Sequence, residues 1–225
     1  MGKHIMKKKM VKVVLIFLLI LPFFAFGQDS SFGNWLIYLG NKKINNTWNI
    51  HHEVQYRNYN TLGDLEQLLL RTGLGYTFNE GKNNALIGYG YILSENYTGN
   101  ANDKVSINEH RIFQQFISNQ KIGSVKLMHR YRFEQRFVED DFKMRFRYFL
   151  ALNVPFSKEE NNKFYASAYN EIFLNTKSSI FDRNRLYGGI GYNMSSNLRI
   201  ELGYMNQFFE TTSRDQLNIV TFFTF

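Results

Sequence analysis

The stretch Met128–Phe137, MHRYRFEQRF, alternates charge and aromatic ring almost without a break. Arg130, Arg132, Glu134 and Arg136 take every second position, with Tyr131, Phe133 and Phe137 between them and Gln135 as the single interruption. A period of two is the pattern of a β-strand whose faces meet different surroundings. Comparable alternation returns near 33–40, 47–59, 66–78, 84–96, 107–120, 124–137, 142–155, 163–174, 183–194, 197–209 and 215–225. Most of these segments exceed the five or six residues usual for strands in soluble sheets. Segments of about ten residues, tilted near 45°, are what crossing a bilayer requires.

The two faces differ in kind. Val125, Leu127, His129, Tyr131, Phe133 and Phe137 share one face of their segment, opposite Lys126, Met128, Arg130, Arg132, Glu134 and Arg136. Phe142, Met144, Phe146, Tyr148, Leu150 and Leu152 oppose Lys143, Arg145 and Arg147 in the next. Leu198, Ile200, Leu202 and Tyr204 oppose Arg199, Glu201 and Gly203 further on. A soluble periplasmic barrel or sandwich also alternates. The choice here favours lipid for two reasons. The apolar faces carry large aromatics along whole long segments, and the charged faces prefer Arg and Glu to Lys, as confined and mutually paired groups do. The expectation is therefore an all-β fold: an antiparallel transmembrane β-barrel of about 10–12 strands, aromatics outward and charges in the lumen.

The first 27 residues read as a cleaved signal peptide. Lys7, Lys8, Lys9 and Lys12 precede the apolar run Val13–Phe26, and small residues stand before Gln28. That run is shorter than the roughly 18 residues or more of a spanning helix. Residues 28–225 then form the barrel domain, located in an outer membrane of the Gram-negative type. Five of the 27 basic residues lie in the leader, which leaves 22 against 19 acidic ones. With that balance the basic pI loses its force as a nucleic-acid signal. The absence of cysteine excludes disulfides and thiolate metal sites. The ending IVTFFTF, with Phe223 and Phe225 on one face, is expected to serve as an assembly signal for the barrel-assembly machinery.

The connections read as alternately tight, at Ser195–Ser196 and Lys121–Gly123, and longer, at Thr98–Val105 and Asn175–Asp182. Outer-membrane barrels have short periplasmic turns and longer external loops, and normally an even strand number. The eleven segments are therefore expected to hide one partial or lumenal first strand, or one strand unseen. Gly73, Gly75, Gly88, Gly90, Gly189 and Gly191 are expected where strands bend or large neighbours pack.

Face parity places Glu53, Arg57, Arg71, Arg111, Arg130, Arg132, Glu134, Arg136, Arg145, Arg147, Glu171, Arg183, Arg185, Arg199 and Glu201 in the lumen, along with Glu109 and Lys143. The excess of cations suggests a narrow, porin-like pore for small anionic solutes. A second reading is a non-conducting structural or binding barrel with a salt-bridged, plugged lumen. A third is an outer-membrane lipid-modifying enzyme. The third lacks a convincing constellation: His51 and His52 are adjacent and point to opposite faces, and Ser106 and His110 lie about 13 Å apart on a strand. No catalytic, cofactor or metal residue is expected, and no enzyme activity. The expected partners are the lipid bilayer, lipopolysaccharide and the assembly machinery.

The order of motifs resembles one family. WLIYLGNKKINNTWNIHHEVQYR (Trp35–Arg57), EHRIFQQF (Glu109–Phe116), HRYRFEQRF, RFRYFLALNVPF and YNEIFLN (between His129 and Asn175), and FDRNRLYGGIGYNMSSNLRIELGYMNQF (Phe181–Phe208) follow one another as in the outer-membrane β-barrels of domain-of-unknown-function family 2490. The resemblance implies the barrel and its membrane, and supplies no activity, ligand or catalytic residue.

Overall fold

The computed structural model describes residues 32–225 apart from 62, 100–102, 158, 160, 161 and 178. The expected signal peptide lies outside the described residues. Eleven strands follow in chain order: β1 (Gly33–Lys43), β2 (Trp48–Asn58), β3 (Leu65–Phe78), β4 (Asn83–Tyr97), β5 (Lys104–Ile122), β6 (Val125–Val138), β7 (Asp141–Pro155), β8 (Phe164–Asn175), β9 (Phe181–Asn193), β10 (Leu198–Phe208) and β11 (Ser213–Thr224). Each pairs antiparallel with its sequence neighbours, and β1 returns to β11 to close the barrel. Eleven strands spaced about 4.8 Å apart and tilted near 40° give a wall roughly 22 Å across.

The closure differs from expectation. The first strand is neither partial nor lumenal, and among the described residues no twelfth strand restores an even number. Instead β1 is a full wall strand that pairs parallel with β11, from Gly33 opposite Gln216 to Asn41 opposite Thr224. The reason is geometric: in a meander with an odd number of strands the first and last run the same way, so only a parallel seam can close it. The seam runs to the last residue, where Phe225 N–H donates to Asn41 O at 3.0 Å and Lys43 N–H to Phe225 O at 2.8 Å. The Phe225 ring lies 5.0 Å from that of Phe223 and 5.4 Å from that of His52.

The rims depart from expectation too. The end of the barrel where β11 finishes, the C-terminal rim, carries the tight connections at 123–124 and 194–197. It also carries the longest connection, 156–163, while the opposite, N-terminal rim has the two-residue turn 139–140. Glu139 there adopts φ 47°, the left-handed conformation so short a reversal demands. Loop length therefore does not separate the two ends.

The exterior is apolar. Leu74, Ile87, Ile112, Phe146, Ile190 and Leu202 all point outward and are exposed. Near the C-terminal rim a run of rings crosses the wall: Trp48 to Tyr76 at 5.1 Å, Tyr76 to Phe78 at 6.2 Å, Phe78 to Phe116 at 6.3 Å, Phe116 to Tyr131 at 6.4 Å, and Tyr131 to Tyr148 at 5.0 Å. Near the other rim, Phe137 meets Phe142 at 5.1 Å. Several polar side chains on this face pair with one another. Gln114 and Gln135 exchange hydrogen bonds at 3.2 and 3.4 Å, Asn170 and Asn184 at 2.8 and 3.1 Å, and His129 bonds the Tyr148 hydroxyl at 2.9 Å. Lone amides tolerate water but not hydrocarbon, so pairing is what a lipid-facing wall needs. Among the described residues no helix is long and apolar enough to cross a membrane, which says nothing of crossing by strands.

Candidate functional site

The lumen is built from the inward side chains of every strand. Of the residues that parity points inward, Glu53, Arg57, Arg71, Glu109, Arg111, Arg132, Glu134, Arg145, Arg147, Glu171, Arg185 and Glu201 are buried. Arg130, Arg136, Arg183 and Arg199 are half-buried. Lys143 is a correction. It sits beside the tight turn at 139–140, is exposed, and meets Asp141 at 3.3 Å rather than entering the packed lumen.

Glu134 is the centre of an ionic lattice. Its carboxylate accepts from Arg147 at 2.6 Å and Arg145 at 2.7 Å, with Arg132 at 3.7 Å and Arg111 at 4.0 Å. Arg147 reaches on to Glu171 at 2.6 Å, which also meets Arg130 at 2.8 Å and Arg185 at 3.7 Å. Glu109 takes Arg111 at 2.5 Å and Arg136 at 2.6 Å, and Glu53 takes Arg71 at 2.7 Å. Amides complete the set: Arg132 Nε and Nη2 donate to Gln115 Oε1, and Arg57 to Gln55 and Gln67. A buried carboxylate with several guanidinium partners is tolerable where an isolated one is not, because desolvating a charge costs several kcal/mol, as an order of magnitude.

Two acids of the network escaped parity. The β2–β3 register shifts between Arg57 and Asn58, where β3 carries Glu66 as an extra residue. The β8–β9 register shifts between Phe173 and Leu174, where β9 carries Asp182 as the extra residue. A bulge resets the alternation, so its side chain cannot be assigned by counting. Asp182 meets Arg145 at 2.7 Å and Arg183 at 3.2 Å, and Glu66 meets Arg214 at 2.6 Å. Asp215 is also buried. The excess of cation over anion is thus smaller than parity suggested.

Aromatic rings fill what the ions leave, and sequence reasoning assigned rings to the exterior. Trp35, Phe113, Phe173 and Tyr187 are each at most 2% exposed. Arg57 stacks on Trp35 at 3.8 Å, Arg132 lies over Phe113 at 4.7 Å, and Arg147 over Phe173 at 4.4 Å. Glycines make room for these rings. A Cβ at Gly88 would collide with Phe113, one at Gly191 with Tyr165, and one at Gly189 or Gly203 with Tyr187. The sequence signal was available: Phe113 shares parity with Arg111, Phe173 with Glu171, and Tyr187 with Arg185.

A family model described as "Protein of unknown function (DUF2490)" matches residues 32–218, nearly the whole described barrel. The chain belongs to the DUF2490 family. An uncharacterized protein of Methylorubrum extorquens is similar to this DUF2490 chain, 33% identical over 168 residues, or 69% of each protein. In-vitro folded OmpT, an outer membrane protein of Vibrio cholerae, aligns with 73% of the DUF2490 chain at 16% identity and a TM-score of 0.40. The chain spans about half of that protein, 51%.

The histidines complete the survey. His51 faces inward and lies 3.4 Å from Glu53, while His52 faces outward beside Tyr38, 5.4 Å between ring centres. Ser106 donates to Glu95 at 2.8 Å, and His110 bonds the Tyr89 hydroxyl at 2.5 Å, so these two are engaged separately. Among the described residues no three His, Asp or Glu side chains converge as metal ligands would.

The lumen is not filled evenly. Toward the C-terminal rim the ionic lattice ends in an open cup of about 770 Å³. Glu53, Arg130 and Arg132 line its deep part, and Lys43, Lys126 and Arg199 also face it.

Proposed function

We propose that the protein is an integral outer-membrane barrel whose lumen is closed at mid-height, a binding or structural barrel rather than an open channel. One observation carries this reading. At the level of Glu134 the inward side chains are packed against one another: Glu134 is 0% exposed, Arg132 2%, Arg145 4% and Arg147 6%. Barrels of eight strands are filled by their side chains and those of sixteen or more hold water; at eleven strands the outcome depends on what points inward. Here that is long guanidinium stems and aromatic rings. The membrane assignment is supported by the apolar exterior, the aromatic run and the paired outward amides. Lipid bilayer and lipopolysaccharide are the contacts such a wall makes, assembly machinery is its route in, and the reading includes no catalytic step.

The test is conductance of refolded protein in a planar bilayer under a salt gradient, with folding checked by heat-modifiable gel mobility. Wild type is expected to give no stable steps. Removing both signs from the plug, with Arg132→Ala and Glu134→Ala together, is expected to produce them. The competing reading, a narrow anion pore, draws on the excess of Arg facing the cup. Anion-selective steps from wild type, weakened by Arg132→Glu with Arg145→Glu, would establish that pore and reject the closed lumen.

A further inference from the structure

We infer that the C-terminal cup is a binding site for a small phosphorylated solute. Its walls are cationic: Arg130 is held by Glu171 at 2.8 Å and Arg132 by Gln115, whereas Lys43, Lys126 and Arg199 have no carboxylate partner among the described residues. Lys43, Lys126, Arg130, Arg132 and Arg199 face it against the single acid Glu53, and Glu53 is already held by Arg71 at 2.7 Å. Among the described residues Arg199 has no carboxylate partner, and its Nε makes no hydrogen bond. Its guanidinium carbon lies over Phe222, 3.9 Å from the ring centre, with Nε buried, which holds the group in place for a ligand. At the deep end, Arg132 is 2% exposed, with Nε and Nη2 on Gln115 and Nη1 turned toward Glu134 at 3.7 Å, so it contributes positive charge to the floor of the cup rather than a free donor.

The chemistry narrows the ligand class. Guanidinium groups bind phosphate and carboxylate through paired N–H donors, and Lys adds point charge. Cations at two levels of the cup, Arg132 deep and Lys43 with Lys126 elsewhere on the wall, favour a group with two negative charges over one. The volume of about 770 Å³ is that of a site for an organic molecule rather than a bare ion. Asn46 and Asn197, also lining the cup, supply amide groups suited to hydroxyls. A sugar phosphate has all these features. The inference rests on the closed lumen, since a through-pore would pass the anion instead of holding it.

The experiment is calorimetric titration of the refolded full-length mature barrel in detergent with glucose 6-phosphate, and with glucose as the uncharged control. Saturable binding of the phosphate ester and none of glucose is expected, with affinity falling as salt rises. Arg199→Gln with Lys126→Gln should weaken binding at least tenfold while heat-modifiable mobility is kept. Lys82→Gln, on the same rim but paired with Glu80 at 3.0 Å and outside the cup, should leave it unchanged. No saturable heat from folded wild type, or binding untouched by the double variant, overturns the site. Conductance of the same preparation separates the two failures: a silent barrel that binds nothing sinks only the site, whereas anion-selective steps sink the closed lumen.

Discussion

The lumen has two halves that are held in different ways. Around β5–β8 the fill is an ionic lattice centred on Glu134, in which nearly every guanidinium has a named carboxylate or amide. Toward the seam, Trp35, Tyr187 and Met205 form an apolar cluster, with Tyr169 stacked on Tyr187 at 4.6 Å. The first half depends on charge balance and the second on shape. A charge cannot be deleted from the lattice without stranding its partners, whereas the cluster, though Arg57 lies over its Trp35, carries no charge of its own and responds chiefly to volume. The same fold thus uses two kinds of plug, and substitutions distinguish them by the size of the response.

The largest effect is expected at Glu134. Glu134→Gln keeps the shape and removes the charge that four guanidinium groups share. Breaking a buried pair by removing one partner typically costs about 3–5 kcal/mol. Urea unfolding of the barrel in lipid vesicles should show a loss of that order. A change below about 1 kcal/mol would mean that the lattice is hydrated and behaves as surface pairs do.

The seam half should respond less, and to volume instead. Gly203 and Gly189 both leave room for the Tyr187 ring, and a methyl on Gly203 meets Tyr187 side-chain atoms. Gly203→Ala is expected to cost about 1–3 kcal/mol, the usual range for overpacking. In a Tyr187→Leu background the same change should cost little, because the ring it strikes is gone. Equal costs in both backgrounds would place the strain in the strand rather than in the ring contact, and the shape argument for this half would fail.

These two halves were not equally legible. The alternation in β6, β7 and β10 is regular through their charged stretches and no bulge interrupts it, so counting residues put Arg132, Glu134, Arg145, Arg147 and Glu201 inside. Counting failed at Asp182 and Glu66 because each is the extra residue of a bulge, and no local composition announces a bulge. Trp35, Phe113, Phe173 and Tyr187 were missed for another reason. Their parity was correct, but a large ring was equated with a lipid-facing position. An Arg-rich lumen contradicts that equation, since guanidinium planes stack on rings. The parallel seam followed from the odd strand count itself; the habit of even-numbered barrels obscured it. The cup at the C-terminal rim had no sequence signature, because an unfilled volume depends on which inward side chains stop short.

The smallest effect is expected outside both halves, at the N-terminal rim. Asp64, in the connection between β2 and β3, accepts from Tyr97 at 2.8 Å and from Lys104. Partial burial raises the pKa of this carboxyl, but the hydrogen bonds from Lys104 and Tyr97 and the Lys104 charge outweigh it and hold it below the ordinary 3.8. A depressed carboxyl contributes stability that is present above the unfolded value and is lost as pH falls through the folded one. The clip should therefore hold at neutral pH and loosen below about pH 3.8. The Tyr59 amide, which donates to Asp64 O at 2.8 Å, reports it. Its exchange protection, corrected for the intrinsic pH dependence of exchange, should drop in acid for wild type, and in Asp64→Asn it should be low and flat throughout. The urea midpoint should be nearly unaffected by that substitution, since a solvent-screened pair contributes little to the whole barrel. A midpoint shift approaching that of Glu134→Gln would show that the rim is coupled to the plug, and that the ionic half does not end where the packed lumen does.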